Sequence, residues 1–204
     1  MLARNQYGQA EQFLRKVYDE EPHVQGNSYN LGVALMGLKR FEEAQELLMN
    51  DLQEFGESFD RFRVLGDLYY MWGHPQDAAS WYRKALELSE NEAEERMLKR
   101  RIKKCASPES FSSVMKGHEA FDEGNRLIIL KQYDDAVDAF SQAIEYDSTQ
   151  YLAMNNLGAL YHMFYKENEK ALKVFTKARR YSSMPSLVKN IEVVKKALAK
   201  QGQE

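Results

Sequence analysis

The sequence predicts an all-α protein, a solenoid of stacked helical hairpins, on three observations. Gly32 and Gly66 stand 34 residues apart, as do Gly124 and Gly158. Ala10, Ala44 and Ala78 keep the same 34-residue spacing, and Ala136 to Ala171 is 35. Between Pro22, Pro75, Pro108 and Pro185 the apolar residues recur at helical intervals, as in Ala78-Tyr82-Ala85 and Ala136-Phe140-Ala143, with no convincing alternating stretch. A period near 34 is that of a helical hairpin, a unit that buries its apolar face only by stacking on its neighbours.

The units follow in order. Residues 1–24 carry Tyr7, Ala10, Leu14, Val17 and Pro22, the pattern of a second helix without its first. Two readings of this half repeat are a capping helix and an uncovered apolar face that docks a partner or a second copy. Residues 25–58 hold Leu31, Gly32, Leu35, Ala44 and Leu48; residues 59–92 hold Leu65, Gly66, Tyr69, Ala78, Tyr82 and Ala85. Gly66 to Gly124 is 58, which is 24 beyond one period, so residues 93–116 form an insert. Met97, Leu98, Ile102 and Cys105 share a helical face there. Ser107-Pro108-Glu109 reads as a helix start, with Ser as cap and Pro in the first turn. The expectation is an extra helix, a spacer between two modules, followed by a long helix from about Pro108 to Leu130. Residues 117–150 hold Gly124, Leu127, Ala136, Phe140 and Ala143; residues 151–185 hold Leu157, Gly158, Tyr161, Ala171, Phe175 and Ala178, with one extra residue near 165–169. Residues 186–204 carry Leu187, Ile191, Val194 and Leu198 opposite a Lys-rich face, as a terminal cap requires. Gly inside a helix costs ~1 kcal/mol relative to Ala, so its recurrence implies that close helix packing compensates.

Composition narrows the function classes. The chain has 204 residues, 28 Lys+Arg and 31 Asp+Glu, net −3. That balance argues against a dedicated nucleic-acid binder. A single cysteine, Cys105, permits no internal disulfide and fits a reducing compartment. The start lacks an apolar signal region, and no apolar run approaches the ~20 residues of a membrane span. The expectation is a soluble cytoplasmic protein with no membrane insertion.

These hairpins resemble the tetratricopeptide repeat (TPR) family, whose pattern W-x2-L-G-x2-Y…A-x3-F…A…P matches residues 1–92 and 117–204 at the positions quoted. Departures are Glu123 before Gly124, Leu in place of Tyr after two of the glycines, and Asp51 where the family carries a small residue. The resemblance implies a right-handed α-α superhelical solenoid of about 4.5 repeats. It also implies a non-enzymatic adaptor or scaffold, whose first helices line a groove for a peptide segment of a partner. Carried over by offset from each Gly, the groove candidates are Tyr29, Asn30, Val33 and Met36; Arg63, Val64, Asp67 and Tyr70; Phe121, Asp122, Asn125 and Ile128; Asn155, Asn156, Ala159 and His162. Asparagines there donate and accept at once and so suit a ligand's backbone amides. Asn125 and Asn156 also match the asparagines of the subclass that grips a C-terminal carboxylate. Phe121, Leu187 and Ile191 stand where its cations belong, which argues against that ligand.

The basic run Lys99, Arg100, Arg101, Lys103 and Lys104 follows Glu90, Glu92, Glu94 and Glu95 and reads as a solvated helix, with an anionic surface or nucleic acid as the alternative partner. His23, His74, His118 and His162 lack metal-ligand spacing, Cys105 lacks an activating partner, and no phosphate loop or nucleophile elbow is present. No catalytic residue, metal or cofactor is expected. Protein or peptide partners are expected, with a homo-oligomer as the alternative.

Overall fold

The computed structural model describes residues 4–201. The first three residues of the half repeat and the last three of the capping segment lie outside them. Eleven helices are present among the described residues: α1 (Arg4–Glu20), α2 (Asn27–Gly37), α3 (Phe41–Phe55), α4 (Phe59–Trp72), α5 (Pro75–Glu87), α6 (Glu92–Cys105), α7 (Pro108–Ile129), α8 (Tyr133–Tyr146), α9 (Tyr151–Met163), α10 (Asn168–Ala178) and α11 (Pro185–Gln201). They fall into two compact units. Unit 1 runs to Ser89 and includes Arg101–Phe111; unit 2 holds Glu90–Arg100 and everything described from Ser112 onward.

Each hairpin turns on a residue in the left-handed region. Lys39 (φ 62°), Lys131 (φ 60°) and Lys166 (φ 57°) do this where Gly73 (φ 95°) does it at no steric cost. Two helix starts have serine caps. Ser58 Oγ accepts from the Arg61 amide at 3.3 Å, and Ser107 Oγ from the Ser110 amide at 3.1 Å, with Pro108 in the first turn of α7.

The repeated small residues pack as a system. Ala44, Ala78, Ala136 and Ala171 are fully buried. The glycines meet first the large residue four positions beyond each alanine. A Cβ on Gly32 would lie 2.8 Å from Leu48, on Gly66 2.3 Å from Tyr82, on Gly124 2.6 Å from Phe140, and on Gly158 2.7 Å from Phe175. The ring or branched side chain thus lies directly on the helix backbone, with no room for a Cβ. In unit 1 the core gathers Leu31, Leu35, Leu48, Val64, Leu65 and Leu68; in unit 2 it gathers Leu127, Phe140, Ala153, Leu157 and Leu160.

Asp51 is 1% exposed and fully engaged. It accepts from Ser28 Oγ at 2.9 Å and pairs with Arg61 Nε at 2.6 Å. Arg61 also donates toward the Phe55 and Gly56 carbonyls. A buried carboxylate held this way ties α2, α3 and α4 together, where the other repeats use alanine.

Candidate functional site: the asparagine row of unit 2

Most of the first-helix candidates of unit 1 are engaged within the unit. Arg63 pairs with Asp67 at 2.9 Å and with Asp60 at 3.3 Å. Asp67 also accepts from Tyr82 Oη at 2.8 Å and from Arg101 at 2.6 Å, and Arg101 donates to Tyr82 Oη at 2.9 Å. Burial pushes the Tyr82 phenol well above its ordinary pKa, so it stays a neutral donor. Tyr70 is fully buried, its ring edge-on to Phe111 (5.6 Å) and Tyr82 (5.8 Å), with the Arg101 guanidinium 4.8 Å above it. Val64 and Met36 are buried as well. Tyr29 and Val33 are partly covered by the core, and Asn30 is exposed.

Arg101 corrects the expectation of a solvated basic helix. It is 6% exposed and ion-paired, because Asp67 on α4 carries a carboxylate that no other buried cation satisfies as closely. Of the rest of the run, Lys99 pairs with Glu95 at 2.6 Å and Arg100 lies 5.3 Å from the Tyr181 ring centroid. The basic residues therefore do not form one free patch.

Unit 2 is different in kind. Four of its inner polar residues are neutral amides joined across three helices. Asn156 Nδ2 on α9 donates to Asn125 Oδ1 on α7 at 2.9 Å. Asn190 Nδ2 on α11 donates to Asn155 Oδ1 on α9, also at 2.9 Å. Asn155 and Asn156 approach each other at 3.5 Å. All four side chains are partly buried. Phe121, Asp122, Ile128 and Ala159 are partly buried too, with the Phe121 ring 5.9 Å from Phe140. His162 is hydrogen-bonded to the buried Asn168 at 2.7 Å, and Asn168 donates to Gln201 at 3.0 Å. Leu187, at a position where a carboxylate-gripping cation would stand, is fully buried. An amide has two donor hydrogens and an acceptor oxygen with two lone pairs. Each asparagine here therefore retains unused hydrogen-bonding capacity after pairing with its neighbour.

Asn190 was not among the groove candidates from sequence. Its signal was present: it lies 34 residues after Asn156, one period on, in a helix taken as a cap. Among the described residues no group of three His, Cys, Asp or Glu side chains is placed to hold a metal ion. No described helix is long and apolar enough to cross a membrane.

Two family models for the tetratricopeptide repeat match residues 1–63 and 64–92, and a TPR repeat model matches 124–163. Among solved structures the chain is similar to YrrB, described as a TPR protein with an unusual peptide-binding site. The identity is 24%, the TM-score 0.40, and the match covers 97% of this chain and 84% of that one. It is also similar to the TPR2AB domain of yeast Sti1 in a pHSP90 complex (16% identity, TM-score 0.43, 98% and 83% covered). A third is MamA AMB-1 (21% identity, TM-score 0.42, 87% and 90% covered). A search among curated protein sequences gives no match. With its fixed period, its recurring glycine packed against a large side chain and three repeat models over most of its length, the chain belongs to the tetratricopeptide repeat family.

Proposed function

We propose that this protein is a non-enzymatic interaction adaptor, acting in the cytoplasm, that binds a peptide segment of a partner protein on the asparagine-bearing face of unit 2. The observation that supports it is the linked set Asn125, Asn156, Asn155 and Asn190, neutral amides on the alternate helices α7, α9 and α11, beside partly exposed Phe121 and Ile128. Amides at that spacing satisfy a ligand's backbone whatever its side chains, and the neighbouring apolar surface adds affinity. Unit 1 is the poorer candidate, because Arg63 and Asp67 are paired and Tyr70 is buried. The test is selection of binding peptides from a random library on the full chain, followed by calorimetry. We expect Asn125→Ala/Asn156→Ala to weaken selected peptides by about tenfold or more, at roughly 0.5–1.5 kcal/mol for each hydrogen bond lost. Equal affinity for both proteins, with both folded, would remove the face from consideration.

A second reading, self-association through α1, has its own observation. Ala10 and Leu14 stand at the spacing of Ala44 and Leu48, which are fully buried, yet are only partly buried themselves; Phe13 is 67% exposed.

A further inference from the structure

Beyond the asparagine face, we propose that a notch at the hairpin-turn edge of unit 2 is a docking point for an arginine side chain of a partner protein. The notch is a cavity of about 490 Å³ where the start of α8 meets the end of α9. Its walls are the stacked rings of Tyr133 and Phe164, with centroids 3.9 Å apart, and Tyr165, whose hydroxyl donates to Asp134 Oδ1. Phe164 is 47% exposed and Tyr165 36%, with Leu130 and Met163 also exposed beside them in the chain. Aromatic surface left open beside carboxylates suits a planar cation that stacks and pairs at once.

The same place in unit 1 shows what such a carboxylate takes. There the start of α3 carries Glu42 and Glu43, as the start of α8 carries Asp134 and Asp135. Glu43 is gripped by the guanidinium of the cap residue Arg40 at 2.5 and 2.6 Å, with Arg15 at 3.6 Å. The ring pair there, Phe41 and Trp72, is closed by His74, 4.9 Å from Trp72. In unit 2 the cap residue is Gln132, and Asp135 makes no ion pair among the described residues. The longer turn sends the Lys166 ammonium to the Met163 carbonyl at 2.9 Å. Unit 2 thus keeps the aromatic pair and the acids and lacks the guanidinium. Lys131 also lines the notch and opposes a cation; two carboxylates against one ammonium leave the lining negative.

The probe is N-acetyl-arginine amide, titrated into isotopically labelled full-length protein at low salt and followed by amide chemical shifts. Saturable shifts confined to residues 131–135 and 163–166 are expected. They should weaken about tenfold in Asp135→Asn and in Phe164→Ala, with the rest of the spectrum unchanged. Asn125→Ala/Asn156→Ala should leave them intact, which separates this proposal from the peptide face. Equal shifts with N-acetyl-norleucine amide would show a merely apolar surface. The same shifts with inorganic phosphate would show an anion site on Lys131. Either result, or no localised shift, overturns the proposal.

Discussion

Gly66 and Gly8 are both helical glycines, and they predict opposite outcomes for the same substitution. A methyl at Gly66 would enter the Tyr82 ring, so Gly66→Ala should destabilise the protein by ~1–3 kcal/mol, the cost of overpacking. Nothing lies within 4 Å of Gly8 in α1, so Gly8→Ala should stabilise by ~0.5–1 kcal/mol through helix propensity. Urea denaturation of the two variants checks both signs. Tyr165 gives a pH-dependent case. Its hydrogen bond to Asp134 pushes the phenol up to about 12 from 10.0. A folded-state value above the unfolded one means that the contact's contribution is complete below pH 10 and is lost as pH rises through about 12. A tyrosinate absorbance titration should therefore lose its step near pH 12 in Tyr165→Phe, and an unchanged step there would assign it elsewhere.

At the scale of the helix, α6 carries the sharpest contrast. Arg101 is buried against Asp67, Tyr82 and Tyr70, whereas Lys103, two residues on, is exposed. Arg101→Ala leaves Asp67 still held by Arg63 and Tyr82 but strips the buried guanidinium from the carboxylate, the Tyr82 hydroxyl and the Tyr70 ring, so it should cost ~1–3 kcal/mol. Lys103→Ala should stay within ~0.5 kcal/mol. Similar small effects for both, by thermal or urea unfolding, would restore the solvated-helix view. The helical elements themselves were legible before any coordinates, because small and large residues at a fixed period leave little choice of packing. The long helix beginning at Ser107-Pro108 was legible through its cap and proline and is seen as Pro108–Ile129. The roles of the polar residues were not legible. Asp51 looked like a flaw in a small-residue position until Ser28 and Arg61 supplied its partners from two other helices. Tyr70 carried a groove offset, yet its surroundings depend on Phe111, 41 residues away, which no repeat pattern registers.

Over the whole molecule, one period generates two units with different chemistry. In unit 1 Arg63 and Asp67 are closed by ion pairs; in unit 2 Asn125, Asn155 and Asn156 are amides with capacity to spare. The second reading also has its test at this scale. If the partly covered face of α1 associates, sedimentation should show a mass rising with protein concentration, reverted to monomer by Phe13→Glu; monomer throughout would dismiss it. The most direct test of the central claim is a nuclear magnetic resonance titration of the full chain with a library-selected peptide, reading the asparagine side-chain amide signals. We predict that the signals of Asn125, Asn155, Asn156 and Asn190 shift together on saturation, as their mutual hydrogen bonds are traded for bonds to the ligand. Binding that leaves those four unmoved and perturbs α1 or the first helices of unit 1 instead would contradict the account.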